Sequence, residues 1–284
     1  MSIFIIGKSG YIAKRLIDYL DSNPIDNQDI NVTSSHTEEQ AMYLNLLEPQ
    51  SFDYSMIKEN DFIVLLAAIS SPDICNRDYD TAYEINVSGT AYFISKCIER
   101  NARVLFMSSD TVYGLQQSEV DENTDTNPIG NYALMKQEIE QKFMGYSNFK
   151  VFRLSYIFSR EDKFTSYIHG CCRKGEVVDV FHPIFRRTVY IEDLIQAIIT
   201  IEQDWDEWSN QIFNICGPSL LSRVDLVQFY KFNVNNELEY RTTEPDESFF
   251  KARPKTIDMA SIFFEKLLKR KPIKIDEAMS REFS

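Results

Sequence analysis

The sequence predicts an α/β protein, with a doubly wound parallel sheet followed by a smaller mixed α/β lobe. Short β-branched or aromatic runs alternate with longer amphipathic segments along the first part of the chain, and this alternation loosens past residue 160. We therefore expect one domain over residues 1–160 and a smaller, discontinuous lobe over residues 161–284, with some segments of the lobe returning to the main sheet.

Buried parallel strands are expected where β-branched, apolar runs are short. They are residues 3–6 (IFII), 30–32 (INV), 62–68 (FIVLLAA), 104–109 (VLFMSS) and 150–155 (KVFRLS). Apolar residues recur with helical spacing between these runs, which predicts crossover helices over residues 11–20, 81–100 and 131–146. The smaller lobe is predicted to contain helices at residues 164–175, 191–203, 224–232 and 260–270, and a strand at residues 211–215.

The charge of the chain argues against nucleic acid and membranes as partners. It is −13 over 284 residues, with no basic run, whereas phosphate binding needs clustered Lys and Arg. The amino terminus turns to glycine after too few apolar residues for a signal peptide or a spanning helix. The five cysteines are odd in number and lack the spacing of a zinc site, so we expect reduced thiols, a cytoplasmic location and no metal.

The first predicted strand runs into a G-x-x-G-x-x-A turn, which is typical of dinucleotide binding. Gly7 permits a tight turn, Gly10 lets a pyrophosphate approach the N–H groups of the helix start, and Ala13 allows close helix–strand packing. The predicted cofactor contacts in this turn are Gly7, Ser9, Gly10, Tyr11 and Ile12.

The residues after the second strand favour NADP(H), with NAD(H) as the alternative. Ser34, Ser35 and His36 include no carboxylate that would accept from the adenosine 2′-hydroxyl or repel a 2′-phosphate. Further cofactor contacts are predicted from Asn45 and Leu46, after a short strand that precedes them, and from Ala67 and Ala68, at the end of the strand at residues 62–68.

Four tyrosines precede a lysine by four residues, a spacing that places both side chains on one face of a helix. Tyr54 follows a short strand on the adenine side, between the strands at residues 30–32 and 62–68. Tyr92 lies halfway along a long helix, and Tyr146 lies at a helix-to-strand junction. Tyr132 instead begins a helix after the strand at residues 104–109, so it starts from the sheet edge where ligands bind. We therefore select Tyr132 with Lys136 as the pair that carries chemistry.

With these motifs the chain resembles the extended short-chain dehydrogenases/reductases, the superfamily of NAD-dependent epimerases and dehydratases, which have a Rossmann-like fold. The other matching segments are LAAIS (66–70), EINVSGT (84–90, with Asn86), SSDTVYG (108–114), RRTVYIEDL (186–194), FNICGP (213–218) and ARPKTIDMA (252–260). The resemblance covers nearly the full length. The segments GKSG, RLSYIF and SRVDL are most similar to dTDP-4-dehydrorhamnose reductase-like nucleotide-sugar reductases.

The resemblance implies that Tyr132 gives its phenolic proton to a sugar carbonyl oxygen, that Ser109 polarises the same oxygen, and that Lys136 contacts the nicotinamide ribose. An ammonium at roughly 5 Å and an effective dielectric of about 20 stabilises a phenolate by about 3 kcal/mol. We therefore expect Lys136 to lower the pKa of Tyr132 by about 2 units from its ordinary value near 10.

Position 111 narrows the reaction that the resemblance implies. Elimination and decarboxylation enzymes of the family carry a glutamate there and the bifunctional GDP-fucose synthases a cysteine, whereas this chain has Thr111. In addition, Leu154, Ser155 and Tyr156 replace the YFN of epimerases, and no carboxylate follows the second strand. These differences favour NAD(P)H-dependent reduction of the 4-keto group of a nucleotide-activated 4-keto-6-deoxy sugar, in deoxysugar or surface polysaccharide biosynthesis.

Two alternatives stay open, a nucleotide-sugar C4 epimerase and a non-catalytic NADP-binding regulatory subunit. Many relatives form dimers through a four-helix bundle, so we expect a homodimer that uses the helices at residues 81–100 and 131–146. The resemblance places Leu154 against the cofactor, and it assigns substrate contacts to Asp110, Thr111, Tyr156, Arg186 and Arg253.

Overall fold

The structure is a computed structural model that describes residues 1–24 and 28–284. The strands are β1 (Ser2–Ile6), β2 (Asp29–Ser34), β3 (Met42–Tyr43), β4 (Phe62–Leu65), β5 (Arg103–Ser109), β6 (Phe149–Leu154), β7 (Ile157–Phe158), β8 (Val178–Phe181), β9 (Phe185–Arg186), β10 (Val189–Tyr190), β11 (Ile212–Ile215), β12 (Leu221–Ser222), β13 (Tyr240–Thr243) and β14 (Thr256–Ile257). The α-helices are α1 (Tyr11–Ser22), α2 (Pro72–Arg77), α3 (Tyr79–Tyr83), α4 (Thr90–Ile98), α5 (Asn131–Phe143), α6 (Lys163–Lys174), α7 (Ile191–Gln203), α8 (Arg223–Asn233), α9 (Glu247–Phe250), α10 (Phe264–Leu268) and α11 (Ile275–Phe283). None of these helices is both long and apolar enough to cross a membrane.

The main sheet has seven strands in the order β11-β6-β5-β4-β1-β2-β3. Strand β1 pairs in parallel with β2 on one side and with β4 on the other, and the β2–β3 and β4–β5 pairs are parallel as well. The order of the strands therefore reverses beside β1, which confirms the predicted doubly wound fold. Ligands of such sheets bind at the carboxyl ends of the strands near this reversal.

Burial of apolar runs explains why these segments become strands. The side chains of Ile3 to Ile6 in β1 and of Phe62 to Leu65 in β4 are all at most 1% exposed, as expected for strands covered on both faces. Helix α1 buries Ala13, Leu16 and Leu20, which share one helical face.

The helix predicted over residues 81–100 is not a single α-helix. A π-helical segment, Glu84–Gly89, separates α3 from α4. Two close contacts hold this segment. The side chain of Asn86 bonds to both the N–H and the C=O of Ile69 at 2.9 Å, and a Cβ on Gly89 would lie 1.8 Å from the carbonyl oxygen of Leu46. The chain therefore widens its helix here to fit against a neighbouring backbone.

Two compact units divide the chain. Unit 1 comprises Met1–Val112, Gly130–Arg153 and Asp204–Ile212, and unit 2 comprises Tyr113–Ile129, Leu154–Gln203 and Phe213–Ser284. Unit 2 contains the small sheets β7-β10, β9-β12-β14 and β8-β13, with parallel and antiparallel pairs. The predicted strand at residues 211–215 is β11, which belongs to the main sheet.

The helix predicted over residues 260–270 is shorter in the structure, where α10 has five residues, Phe264–Leu268. The hydroxyl of Ser261 accepts hydrogen bonds from the N–H groups of Phe263 and Phe264 and so fixes the start of the helix. Lys269 has a left-handed φ of 56° and ends it.

Candidate active site

The turn between β1 and α1 has the backbone that a dinucleotide site needs. Gly7 has a φ of +96°, which favours glycine, and a Cβ there would come within 2.9 Å of the Cα of Ala67. Gly10 is the N-cap of α1, and the first turn of this helix contains no acidic residue. Because no carboxylate from that turn competes for the N–H groups of the helix start, the turn fits a pyrophosphate.

The other predicted cofactor residues of unit 1 lie in this turn or at the ends of neighbouring parallel strands. Ser34 ends β2 and is buried, whereas Ser35 and His36 are exposed. The remaining ones are Ser9, Tyr11 and Ile12 in the turn, Asn45 and Leu46 after β3, and Ala67 and Ala68 after β4.

A carboxylate that the sequence reasoning missed lies at the end of β2. The hydroxyl of Ser34 donates to Glu38 at 2.8 Å, and the other carboxylate oxygen of Glu38 lies 2.5 Å from Nζ of Lys8. The hydrogen bonds with Lys8 and Ser34 lower the pKa of Glu38. The premise that no carboxylate stands here is therefore wrong. Glu38 lies four residues past the strand in an exposed loop, and no local pattern signals where such a side chain folds back.

The predicted catalytic residues come together within unit 1. Gly130, with a φ of 81°, leads the chain into α5, where Tyr132 lies in the first turn. Tyr132 shares a hydrogen bond with Ser109. The hydroxyl of Ser109 also donates to Oδ1 of Asp110 at 3.2 Å and accepts from Oγ1 of Thr111 at 2.9 Å. The hydroxyl groups and the carboxylate thus form one hydrogen-bonded cluster.

Lys136 lies one turn after Tyr132 and is 5% exposed. Its Nζ donates to the carbonyl of Met107 at 2.8 Å and lies 4.6 Å from the ring centroid of Phe106. Burial lowers the pKa of Lys136 to about 8, although the charge of Glu140 acts in the opposite direction. The ammonium is therefore fixed by β5, and it lies 5.9 Å from the centroid of the Tyr132 ring.

The expected effect of Lys136 on Tyr132 is not found. Burial and then the charge of Asp110 raise the pKa of Tyr132, with a smaller contribution from Cys75, while the hydrogen bond with Ser109 lowers it. Burial of the phenol is the largest cause, and Nζ of Lys136 is engaged by a backbone carbonyl. The pKa of Tyr132 is therefore raised and not lowered towards neutrality.

A buried ion pair one helical turn after Lys136 is the second feature that the sequence did not predict. Arg153 of β6 holds Glu140 of α5 with Nη2 to Oε2 at 2.6 Å and Nε to Oε2 at 3.1 Å, and both side chains are almost completely buried. The hydroxyl of Ser108 also donates to Glu140. The signal in the sequence was a glutamate four residues after Lys136, on the same helical face.

The predicted substrate residues of unit 2 have structural contacts of their own. Leu154, predicted to contact the cofactor, ends β6 and also belongs to unit 2. The phenol of Tyr156 donates to Asp162. The guanidinium of Arg186 donates to the carbonyls of Phe185, Pro254 and Lys255. The guanidinium of Arg253 lies 4.4 Å from the ring centroid of Phe249.

Arg223, which the sequence reasoning did not select, lies in unit 2 at the start of α8. Its guanidinium lies 5.1 Å from the ring centroid of Phe164. Burial lowers the pKa of Arg223, the charge of Arg253 lowers it further, and Tyr156 and Asp162 act in the opposite direction. Unit 2 therefore brings two guanidinium groups within electrostatic reach of each other and of Tyr156.

The cysteines form no disulfide, and Cys172 is the one that is partly exposed. Within residues 1–24 and 28–284, no group of three or more His, Cys, Asp or Glu side chains is arranged to hold a metal ion.

Comparison with known proteins identifies the family. The profile of the NAD dependent epimerase/dehydratase family matches residues 3–216, which is more than half of the chain. The chain belongs to this family. The match contains the β1–α1 turn, Ser109, Tyr132 and Lys136.

Among individual relatives, both epimerases and reductases are similar to this chain. An N-acetyl-alpha-D-glucosaminyl-diphospho-ditrans,octacis-undecaprenol 4-epimerase from Escherichia coli O157:H7 is 26% identical over 149 residues, or 52% of this chain and 44% of the epimerase. The match thus spans less than half of that protein. A dTDP-4-dehydrorhamnose reductase from Aggregatibacter actinomycetemcomitans is 21% identical over 210 residues, or 71% of this chain and 67% of the reductase.

A solved structure supports the fold. The UDP-glucuronic acid 4-epimerase of Bacillus cereus, as a Y149F mutant in complex with UDP-4-deoxy-4-fluoro-glucuronic acid and NAD, superposes with a TM-score of 0.83 at 16% identity, over 100% of this chain and 98% of the epimerase. At this identity the similarity shows the fold and not the reaction.

Proposed function

We propose that the protein is an NAD(P)H-dependent reductase that acts on the 4-keto group of a nucleotide-activated 4-keto-6-deoxy sugar. The observation that carries this proposal is the cluster in which the Tyr132 phenol meets Ser109 beside Asp110, with Lys136 buried one helical turn away. A similar dTDP-4-dehydrorhamnose reductase supports the choice of substrate class. The product serves deoxysugar or surface polysaccharide biosynthesis.

In this proposal the cluster donates a proton to the oxygen of the reduced ketone. Reduction of a ketone leaves an alkoxide oxygen, which Tyr132 protonates from its hydroxyl. Ser109 donates a hydrogen bond to the same oxygen, and Thr111, which now donates to Ser109, holds that hydroxyl in place. Because Asp110 and burial raise the pKa of Tyr132, the phenol keeps its proton until the oxygen takes it. A bound nicotinamide cofactor supplies the hydride.

An epimerase is the second candidate, because a 4-epimerase is among the similar proteins. Its tyrosine takes a proton in one half-reaction and returns it in the other, so it needs a phenol that ionises readily. Burial and Asp110 oppose ionisation of Tyr132 in either reaction, because a tyrosine that protonates an alkoxide ionises as well. The choice of the reductase therefore rests on residues 154–156, which differ from the YFN of epimerases. The sequence prediction also used the absence of a carboxylate after the second strand to favour the reductase. Glu38 supplies a carboxylate after β2, so this absence no longer favours either enzyme. The prediction that NADP(H) is preferred rested on the same premise.

A non-catalytic regulatory subunit is the third candidate. Such a protein needs the dinucleotide turn but not the proton-transfer set. The hydrogen bonds of Ser109 and the buried position of Lys136 weigh against it, because an ammonium that burial destabilises is costly to keep without a use.

Unit 2 is proposed to hold the nucleotide part of the substrate. Arg186 and Arg253 match the family's arginine motifs, and a planar guanidinium suits a diphosphate. Arg223 adds a second cation to Arg253. We also propose a homodimer through α4 and α5, where Tyr92 is 40% and Leu134 is 48% exposed. Light scattering on the purified protein tests the dimer.

A substrate panel separates the three candidate functions. The purified protein is incubated with NADH or NADPH and with dTDP- or UDP-linked 4-keto-6-deoxyhexoses, and cofactor oxidation is followed by absorbance while products are identified by NMR. A reductase oxidises one cofactor per sugar reduced. An epimerase interconverts UDP-glucose and UDP-galactose, or their N-acetyl forms, without net oxidation. Cofactor binding without turnover on the whole panel contradicts both enzyme proposals.

A further inference from the structure

An ion pair joins the β1–α1 turn to the loop after β2, and two hydrogen bonds hold that loop to the end of β2. Nζ of Lys8, in the glycine turn, lies 2.5 Å from Oε2 of Glu38. The hydroxyl of Ser34 donates to Oε1 of Glu38 at 2.8 Å and accepts from the N–H of His36 at 3.1 Å. Each carboxylate oxygen of Glu38 is thus held by a different segment of the chain.

The backbone fixes the same two segments against each other. The N–H of Lys8 donates to the carbonyl of Thr33 at 3.0 Å, and the N–H of Gly7 donates to the Thr33 hydroxyl at 3.1 Å. The carboxylate of Glu38 therefore sits on a framework that does not depend on its own contacts. A surface cavity of about 380 Å³ opens beside it, lined by Lys8, Ser9, Lys14, Ile17, Asp18 and Glu38.

This position is the one from which a side chain distinguishes the two nicotinamide dinucleotides. They differ only at the adenosine 2′-oxygen, which is a hydroxyl in NAD(H) and a phosphate in NADP(H). In a doubly wound sheet that ribose lies at the end of β2, near the glycine turn. An ionised carboxylate accepts a hydrogen bond from a hydroxyl and repels a phosphate.

We propose that Glu38, held by Ser34 and Lys8, makes this protein select NAD(H) over NADP(H). The inference rests on the dinucleotide site of the proposed function but not on which sugar is reduced. It replaces the sequence prediction of an NADP(H) preference, which considered only the residues up to His36.

Lys8 has a second part in the selection. While Glu38 is ionised, it forms an ion pair with the ammonium of Lys8, which is then not available to another anion. When Glu38 is made neutral, that ammonium becomes available to a 2′-phosphate. The two side chains therefore act as a unit, and their effects on NADP(H) binding are expected to be non-additive.

The test measures binding and not turnover. The dissociation constants of NAD⁺ and NADP⁺, and of 5′-AMP and adenosine 2′,5′-bisphosphate, are determined by isothermal titration calorimetry for the wild type, Glu38→Gln and Glu39→Gln. The wild type is expected to bind NAD⁺ at least about tenfold more tightly than NADP⁺, and Glu38→Gln to reduce that ratio about tenfold, mainly through tighter NADP⁺ binding. Glu39→Gln removes an adjacent exposed carboxylate and is expected to keep the wild-type ratio.

The double variant Lys8→Gln/Glu38→Gln completes the experiment. It is expected to lose the NADP⁺ affinity that Glu38→Gln alone gains. A wild type that prefers NADP⁺, or a ratio that Glu38→Gln leaves unchanged, overturns the inference while the proposed reductase stands. A folded wild type that binds neither dinucleotide overturns the inference and the proposed function together.

Discussion

Two of the lysine–glutamate pairs in unit 1 have opposite surroundings. Lys8 and Glu38 contact each other directly, with side chains 24% and 40% exposed. Lys136 and Glu140 are buried and have separate partners, the carbonyl of Met107 for the lysine and Arg153 for the glutamate.

The difference follows from the cost of burying charge. Two exposed charges gain little from pairing and exchange partners readily, so the first pair is suited to choosing a ligand. A buried ammonium or carboxylate must be compensated at all times, so the second arrangement is fixed and suited to holding a reacting group in place.

Replacement of Lys136 by Met is expected to reduce turnover about 10³-fold, because the buried cation of the proton-transfer set is lost. Lys142 is an exposed lysine on the same helix, and Lys142→Met serves as the control, with turnover close to wild type. Initial rates of NADH oxidation with the 4-keto sugar that the wild type reduces provide the measurement. A Lys136→Met enzyme as fast as the control contradicts the assignment.

Glu140→Gln is expected to lower the free energy of unfolding by about 3–5 kcal/mol, since Arg153 is left buried without its counter-charge. Urea unfolding followed by circular dichroism measures the loss. Glu138→Gln, an exposed position on α5 that accepts from Tyr83, is the matched control and is expected to change stability little. Glu38→Gln is likewise expected to leave the unfolding midpoint in place. If Glu140→Gln and Glu138→Gln unfold alike, the buried pair is not a stabilising element.

The pH dependence of turnover reports on Lys136. Burial lowers its pKa to about 8, so the ammonium is present below that pH and is lost as pH rises through it. Turnover at saturating substrate is therefore expected to decline above pH 8 and to fall about tenfold per unit once the lysine is mostly neutral. Lys136→Arg keeps its charge and should lose this limb, whereas Glu140→Gln should move it to lower pH. An unchanged limb in Lys136→Arg assigns the titration to another group.

Salt should affect only the exposed pair. The Debye length falls from about 10 Å at 0.1 M to about 3 Å at 1 M, so the preference for NAD⁺ over NADP⁺ is expected to shrink about two- to threefold between these NaCl concentrations. The pH limb of Lys136 is expected to stay in place, because buried charges are screened less. Equal sensitivity of the two properties would remove the contrast between the pairs.

The same contrast explains what could be read from the sequence. The glycine turn, the alternation of strands and helices and the Tyr132–Lys136 pair depend on local spacing, and each is recognisable from the neighbouring sequence. The contacts of Glu38 with Lys8 and of Glu140 with Arg153 join residues that are far apart in the chain, and no single segment reveals them. The sequence also could not predict that the pKa of Tyr132 is raised, because this depends on the burial of the phenol and on the position of Asp110 in the fold.

Some element boundaries were missed for related reasons. The π-helical segment Glu84–Gly89 results from a backbone contact at Leu46, and the late start of α10 results from the Ser261 hydroxyl. The first depends on the missing side chain of Gly89, and the second depends on the side chain of Ser261. The apolar pattern of the surrounding sequence continues through both boundaries and gives no sign of them.

The role of Tyr132 as the proton donor is tested most directly by Tyr132→Phe. The variant removes one oxygen and keeps the ring that packs against its neighbours. With the 4-keto sugar that the wild type reduces, turnover is expected to fall about 10³-fold, while the dissociation constant of NADH measured by calorimetry stays within about twofold of wild type. A Tyr132→Phe enzyme that reduces the ketone at the wild-type rate contradicts the account.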